Sequence, residues 1–357
     1  MKILFLPIVC THFHATSLDE RPIGGTETAV IRLAEALHLL GQEVYVVTSQ
    51  PSEATSTRPH YISVTTANKM EGVDALIVVR GFTGLFTSLH AKKKFFWTGD
   101  AWSNLHTVGL GDKRVIQRVD AFLAISQWHA ATMCLSSSFP LDKTFVLRNG
   151  VHLKYFEGKE TRIRKRLIYT SQPNRGLNYL PKIYMELKSL HPTAELHIFN
   201  GGILYSNEWP PRSGQGILEH EYRMSPFATF PDCHIHGCVK QSELARAMMK
   251  SALLVYPSDF EETSCISAME AQAAGCVVVS SQLAALPETV GDAGILIEGS
   301  PQSKSYIRAF IDACDRLLSD DAFFESKSAR SLERAAHFDW IDRAKEFVAY
   351  LKTVHKL

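Results

Sequence analysis

The sequence predicts an α/β protein of two Rossmann-like domains, each built on a parallel sheet, facing a cleft. Three observations lead there. Short apolar runs of strand length alternate with helical stripes from the first residues onward. The alternation pauses at a basic stretch, 158–166, and then begins again. The 357 residues are enough for about two domains with cores of their own.

Taken in order, 2–9 reads as a first strand, followed by a loop with His12 and His14 and then by Gly24 and Gly25. Val30, Leu33, Ala34, Leu37 and Leu40 make the stripe of a helix from Thr28 to Leu40 that Gly41 closes. A strand over 43–48 completes a parallel βαβ unit. Further strands are expected at 75–79, 94–97, 121–126 and 145–147, and the turn residues Asn149 and Gly150 end the first series. The second series opens with a strand at 167–171 and a helix after Arg175-Gly176, then a strand at 195–199. An irregular insertion over 201–230, a helix at 242–250 and a strand at 253–256 come next. A short strand at 294–297 and helices over 302–318 and 339–352 finish the chain. The domain boundaries expected are 1–157, 158–335 and a C-terminal helix, 336–357.

The totals exclude several classes. Apolar residues at 45% and charged residues at 21% describe a globular chain rather than a disordered one. A net charge of +1 leaves no electrostatic footprint for nucleic acid. Seven cysteines without a CxxC pair point to reduced thiols and a cytoplasmic setting. No signal-type leader is read at the start, and no apolar run approaches ~18 residues, so no membrane span is expected.

The chemistry concentrates between Asp259 and Ser280. Ser264 can cap a helix whose stripe is Ile266, Met269 and Ala273, Gly275 suits the left-handed stop, and 276–280 reads as a strand buried on both faces. Glu262 lies in the loop before that helix and Glu270 inside it, with seven residues between them. A helix opening beside a strand end offers free N–H groups to a phosphate or a polyol. Solvated glutamates are the plain alternative, though Glu270 stands between Met269 and Ala271 on a packed helix.

This stretch resembles the nucleotide-sugar site of family four (group 1) retaining glycosyltransferases. The likeness extends to Gly24-Gly25-Thr26-Glu27, Asn149-Gly150-Val151, Tyr256-Pro257-Ser258, Leu286-Pro287-Glu288 and Phe338-Asp339-Trp340, in that order. It implies the GT-B fold, a C-terminal helix returning to the first domain, and transfer of a hexose-type sugar from a nucleotide-diphosphate sugar to a glycan or lipid-linked acceptor. It further implies that Glu262 contacts the transferred sugar and that Glu270 holds the ribose hydroxyls. Thr263, Ser264 and Cys265 replace the family's Gly-aromatic-Gly, so backbone amides can still face the donor while the glycine geometry is lost.

Arg175 is the expected cation for the diphosphate, with a surface arginine paired to a local carboxylate as its plain alternative. Tyr169 stands where the family often has a second arginine, so either Arg175 alone holds the diphosphate or Lys240 contributes. Gly24 and Gly25 let the backbone approach the phosphate or acceptor. Asp100 is a candidate catalytic residue at a strand end, with Gly99 in place of a frequent histidine. His12 and His14 could suggest a metal pair, but no further ligand cluster accompanies them, so loop or acceptor contacts are expected, and Trp102 is assigned to the acceptor side. His234 and His236 alternate along an expected strand and are read as structural. With no Asp-x-Asp motif, no metal and no cofactor are expected. The patch Lys92-Lys93-Lys94-Phe95-Phe96 allows weak peripheral membrane contact, with a solvated strand lead as the alternative. A sugar-nucleotide-binding subunit without turnover and an epimerase of similar fold remain the rival readings.

Overall fold

The computed structural model describes residues 1–200 and 224–357. The chain divides into two compact units, Met1–Gly150 with Asp339–Leu357, and Val151–Phe338. In the first unit the described strands are β1 (Lys2–Pro7), β2 (Glu43–Val47), β3 (His60–Ile62), β4 (Ala75–Val79), β5 (Lys93–Trp97), β6 (Ala121–Ala124) and β7 (Thr144–Val146). They form one parallel sheet in the order β3-β2-β1-β4-β5-β6-β7. The apolar runs are continuous because both faces are covered. Ile3, Phe5, Ile77, Phe95 and Trp97 face the helices Gly25–Leu39 and Trp340–Thr353, while Leu4, Leu76, Val78, Phe96 and Phe122 face the other side with Ala130 and Met133.

The second unit has β8 (Ile163–Tyr169), β9 (Glu195–Phe199), β10 (Cys233–Gly237), β11 (Ser251–Tyr256), β12 (Val277–Ser281) and β13 (Ile295–Ile297). Their order is β10-β9-β8-β11-β12-β13, again parallel throughout. Helices Leu180–Leu190, Gln241–Lys250, Ile266–Ala273, Lys304–Ser319 and Asp321–Ala335 pack around it. Side-chain caps start three of the helices at the chain's end. Ser303 accepts from the Tyr306 amide, Asp320 from Phe323 and Asp339 from Ile341.

Several expectations need correction. The stretch 158–166 is no loose linker, because β8 begins at Ile163 and its charges are partnered. Arg164 lies 3.8 Å above the Phe324 ring and pairs with Asp321 at 2.8 Å, and Arg166 pairs with Glu195 at 2.6 Å. The helices Gln127–Ser137 and Asp321–Ala335 and the strand β3 were not anticipated. Most of the expected insertion lies outside the described residues, and 225–229 forms a short 3-10 turn. Lys92 and Lys93 are not a bare basic patch, since they pair with Asp74 at 2.6 Å and Asp120 at 2.9 Å. Among the described residues no helix is long and apolar enough to cross a membrane.

The helix Trp340–Thr353 is part of the first core. Phe347 is fully buried with its ring 6.0 Å from Phe95, and Tyr350 stacks on Phe145 at 3.9 Å. Phe347→Ala should therefore cost about 3–5 kcal/mol in chemical unfolding. Leu332→Ala, on a half-exposed side chain, should stay within roughly 0.5 kcal/mol of the parent. Equal effects from the two would contradict this packing.

Candidate active site

In the second sheet the strand order reverses between β8 and β11, and ligands of open parallel sheets gather outside the strand ends at such a point. The chain delivers Arg175 from the loop after β8 and Glu262 from the loop after β11. They meet there, Arg175 Nη1 donating to Glu262 Oε1 at 2.8 Å. Tyr256, the last residue of β11, donates its hydroxyl to the same oxygen. Phe260 lies under the guanidinium at 4.3 Å. Glu262 is only 5% exposed, so it is not a solvated glutamate, while Arg175 is paired with a carboxylate, as its plain alternative has it, though one 87 residues onward. Burial works against the charge of Arg175, yet Glu262 and then Tyr256 hold its pKa above the ordinary range.

The loop carrying Arg175 is tightly held. Gly176 has φ +94°, and a Cβ there would stand 2.2 Å from the Pro257 carbonyl oxygen, so only glycine lets the two loops touch. Tyr169, fully buried, donates its hydroxyl to the Gln172 carbonyl at 2.6 Å and closes the loop from below. Where a second arginine was a possibility, the tyrosine serves as a prop for the first. Ser267 Oγ donates to the Thr170 carbonyl at 2.7 Å, fastening the next helix to the end of β8.

That helix spans Ile266–Ala273, and Ser264 does not cap it. Its N-cap is Cys265, and no side chain makes a capping hydrogen bond. Cys265 has φ 65° and ψ 74°, a left-handed shape that glycine adopts without penalty. A residue with a side chain holds that conformation at a backbone cost of roughly 1–3 kcal/mol. Burial, and after it Glu262, drives the Cys265 thiol well above its ordinary pKa, so it stays protonated. Ser264 is buried and its carbonyl accepts from Thr289 Oγ1 at 2.5 Å.

Glu270 lies in the same helix, 5% exposed. Gln241 Nε2 donates to its Oε1. Burial, opposed only in part by Gln241, pushes the carboxyl up to about 7. Lys240 is the N-cap residue of the Gln241–Lys250 helix, so its loop brings Gln241 to Glu270. Gln241 was missed from the sequence, because nothing in a glutamine after a lysine signals a partner 29 residues onward.

The first unit has its own reversal, between β1 and β4. Val9 and Arg80 follow those strands, and both are left-handed, with φ 55° and 68°. Arg80 Nη1 donates to the Val9 carbonyl and Nε to Asp100 Oδ2, each at 3.0 Å. The Ile125 amide donates to Nδ1 of His129, leaving Nε2–H to donate to the Asp100 carbonyl at 3.0 Å. Burial holds His129 down at about 4, so it is neutral. Arg80 was not foreseen, although a charge directly after the all-buried Ala75–Val79 was a usable signal. Gly24 is the N-cap of the Gly25–Leu39 helix in ordinary extended geometry, φ −68°. Glu27, on that helix, is buried and accepts from the Thr11 amide at 2.8 Å. His12 and His14 do not converge: His12 is 3.4 Å from Ser49 Oγ, and His14 contacts Thr16 and Glu20. Trp102 is half exposed.

Two Rossmann-like parallel-sheet units, with charged residues gathered at the reversal of each sheet, define a protein of the GT-B architecture. Residues 170–320 match the family model described as glycosyl transferases group 1, a span holding Arg175, Lys240, Glu262 and Glu270. The likeness to group 1 enzymes read from the motifs is met by that match. Among curated proteins, the chain is 27% identical over 186 residues to an MMP α-(1→4)-mannosyltransferase of Mycolicibacterium hassiacum, covering 51% of this chain and 42% of that one. It is 36% identical over 104 residues to O-antigen chain mannosyltransferase B of Escherichia coli, covering 29% and 26%. It is 34% identical over 146 residues to a D-inositol 3-phosphate glycosyltransferase of Nocardioides sp., covering 38% and 30%. The matches therefore span less than half the length of these relatives. Among solved structures, sucrose-phosphate synthase from Thermosynechococcus elongatus superposes with TM-score 0.72 at 15% identity over the whole of both chains. Anabaena Alr3699/HepE, solved with UDP-glucose, gives 0.72 at 14% identity over 99% of this chain and 100% of that one.

The buried Glu270 makes a signed prediction. Its pKa is raised from 4.5 to about 7 in the fold, so its contribution to stability is complete below its unfolded pKa and is lost as pH rises through 7. Glu270→Gln keeps the shape and removes the titration. Relative to the parent, the variant should gain about 2–3 kcal/mol between pH 4 and pH 8, measured by urea unfolding at both values. A difference independent of pH would show that the carboxyl is ordinary.

Proposed function

We propose that the protein is a retaining, metal-independent glycosyltransferase that moves a hexose-type sugar from a nucleotide-diphosphate sugar to an acceptor hydroxyl in glycan or glycolipid synthesis. The observation that carries this reading is the pair of buried carboxylates framing one uncapped helix start, with Arg175 fastened to the first of them. The printed names of the relatives, mannosyl- and inositol-phosphate-directed transferases, support the same class.

Each residue has a task that its surroundings suit. Ionised Glu270 accepts hydrogen bonds from two ribose hydroxyls, which repays part of the cost of its buried charge. The start of the Ile266–Ala273 helix, with the backbone of Thr263, Ser264 and Cys265, faces the diphosphate with N–H groups and a positive dipole end. Arg175 presents five N–H donors in a fork, enough to hold Glu262 and a phosphate oxygen together, and it stabilises charge as the diphosphate leaves. Lys240 adds a second positive charge on the donor side. Glu262, fixed by Arg175 and Tyr256, contacts the transferred sugar. On the first unit, Asp100 and the Gly24-Gly25 helix start serve the reacting end of the substrates, and His12, His14 and Trp102 the acceptor. Retention proceeds with the leaving diphosphate taking the acceptor proton on one face, or by double displacement.

Calorimetric titration with nucleotide and turnover assays divide the two glutamates. Glu270→Ala should weaken nucleotide binding by roughly 1.5–3 kcal/mol, about 10- to 150-fold. Glu262→Gln should mainly lower turnover. Parental behaviour in both variants would refute the site. Donor hydrolysis, absent from a mere binding subunit, should be detectable in the parent protein. NMR of the first product from an α-linked donor should show an α-linkage, formed at an unchanged initial rate in EDTA. A β-linked product, or loss in EDTA with rescue by Mg²⁺ or Mn²⁺, would overturn the mechanism.

A further inference from the structure

The edge of the second sheet carries a cluster that glycosyl transfer does not use. Strands β9 and β10 run parallel with His197 opposite His234. Alternation puts Glu195, His197 and Phe199 on one face of β9, and His234 and His236 on the matching face of β10. Leu196 and Ile198 point the other way, fully buried. The rings of His197 and His234 are 4.7 Å apart, and His236 stacks on Phe199 at 4.3 Å. Ligand atoms of Glu195, His197 and His234 all lie within 4.8 Å of one another.

The contact between His197 and His236 fits either tautomer of His197. Nδ1 is 2.9 Å from His236 Nε2, so one ring donates to the other. With Nδ1–H as the donor, Nε2 of His197 presents a lone pair. That nitrogen is buried, has no hydrogen-bond partner, and faces Glu195 Oε1 at 3.7 Å. In the Nδ1–H tautomer a lone pair faces a carboxylate, an arrangement that a cation between them relieves. Tetrahedral zinc, with bonds of about 2.1 Å, separates its ligand atoms by about 3.4 Å, close to that spacing.

We propose that Glu195, His197 and His234 bind one divalent transition-metal ion of the zinc type, with His236 orienting His197 from behind, and that the ion ties the edge strand β10 to β9. Two imidazoles and a carboxylate are a borderline donor set, suited to zinc rather than to magnesium or calcium. Arg166 Nε donates to Glu195 Oε1 at 2.6 Å and fixes the carboxylate as an outer-shell partner. The ligands sit in the strands of the sheet, whereas Arg175 and Glu262 lie in loops after strand ends. An ion held there, with water as its fourth ligand, lies apart from the residues assigned to sugar transfer.

The test uses the untagged full-length chain, stripped with chelator and titrated with ZnCl₂ alone and with CoCl₂ alone. Saturable 1:1 zinc binding is expected, together with a rise in Tm. Cobalt should give d–d bands without a thiolate charge-transfer band. His197→Ala and His234→Gln should each weaken zinc binding by about 100-fold or more and abolish the Tm rise, and His236→Ala by about 10- to 100-fold. His234 is exposed on an edge strand, so its variant keeps the fold, which circular dichroism verifies. Absence of 1:1 binding, parental affinity in the His197 and His234 variants, or a thiolate band that assigns the metal to cysteines would each overturn the proposal. None of these measurements involves a sugar nucleotide, so their outcome is independent of the transferase reading.

Discussion

Arg175 and Glu262 stand 87 residues apart in the chain and meet at 2.8 Å where the second sheet reverses its strand order. A carboxylate as buried as Glu262 is costly unless its charge is answered, and removal of either partner would leave the other exposed to that cost. The pair is consequently a geometric lock between the loops after β8 and β11. Around it the sequence makes otherwise unfavourable choices. Gly176 gives up side-chain packing so that its loop can press on Pro257, Tyr169 is buried to prop the same loop, and Cys265 accepts a left-handed backbone. Local strain of this kind persists when the surroundings over-determine it, and it clusters where function resides.

A parallel arrangement holds in the first unit. Val9 and Arg80 are left-handed at the ends of β1 and β4, and Arg80 joins them while reaching Asp100. In both units an arginine links the two loops that flank the sheet reversal. The physical reason is shared: the diverging connections at such a point leave room between loops, and a long, planar, multi-donor side chain can hold that room open without closing it.

Much of the fold was legible because buried parallel strands are written as uninterrupted apolar runs. Ala75–Val79 and Glu195–Phe199 were read to the residue. Other elements were hidden by their composition. The Asp321–Ala335 helix is mostly polar, the Gln127–Ser137 helix has only a weak apolar stripe, and β8 has three basic residues directly after Ile163 whose partners lie elsewhere in the chain. The candidate site was legible where it is contiguous: Glu262 and Glu270 announced themselves by spacing and by the helix between them. Arg80, Gln241 and Tyr256 did not, since their contacts arise from sheet order rather than from neighbours along the chain. Ser264 misled because it suits an N-cap chemically, while the left-handed Cys265 starts the helix one residue later.

The first unit is discontinuous in the chain, for its core includes Trp340, Ala344, Phe347 and Leu351, which follow the second unit in the sequence. During synthesis the residues Val151–Phe338 emerge as one uninterrupted block and can complete their own core. The first unit, though made earlier, waits with the apolar surface of Phe95 and Leu37 uncovered until its last helix leaves the ribosome. The order of completion is thus the reverse of the order of translation. A nascent chain stalled before residue 339 carries the whole of the second unit alongside a hydrophobic face that chaperones would recognise, which makes Asp339–Leu357 the segment that covers the first core.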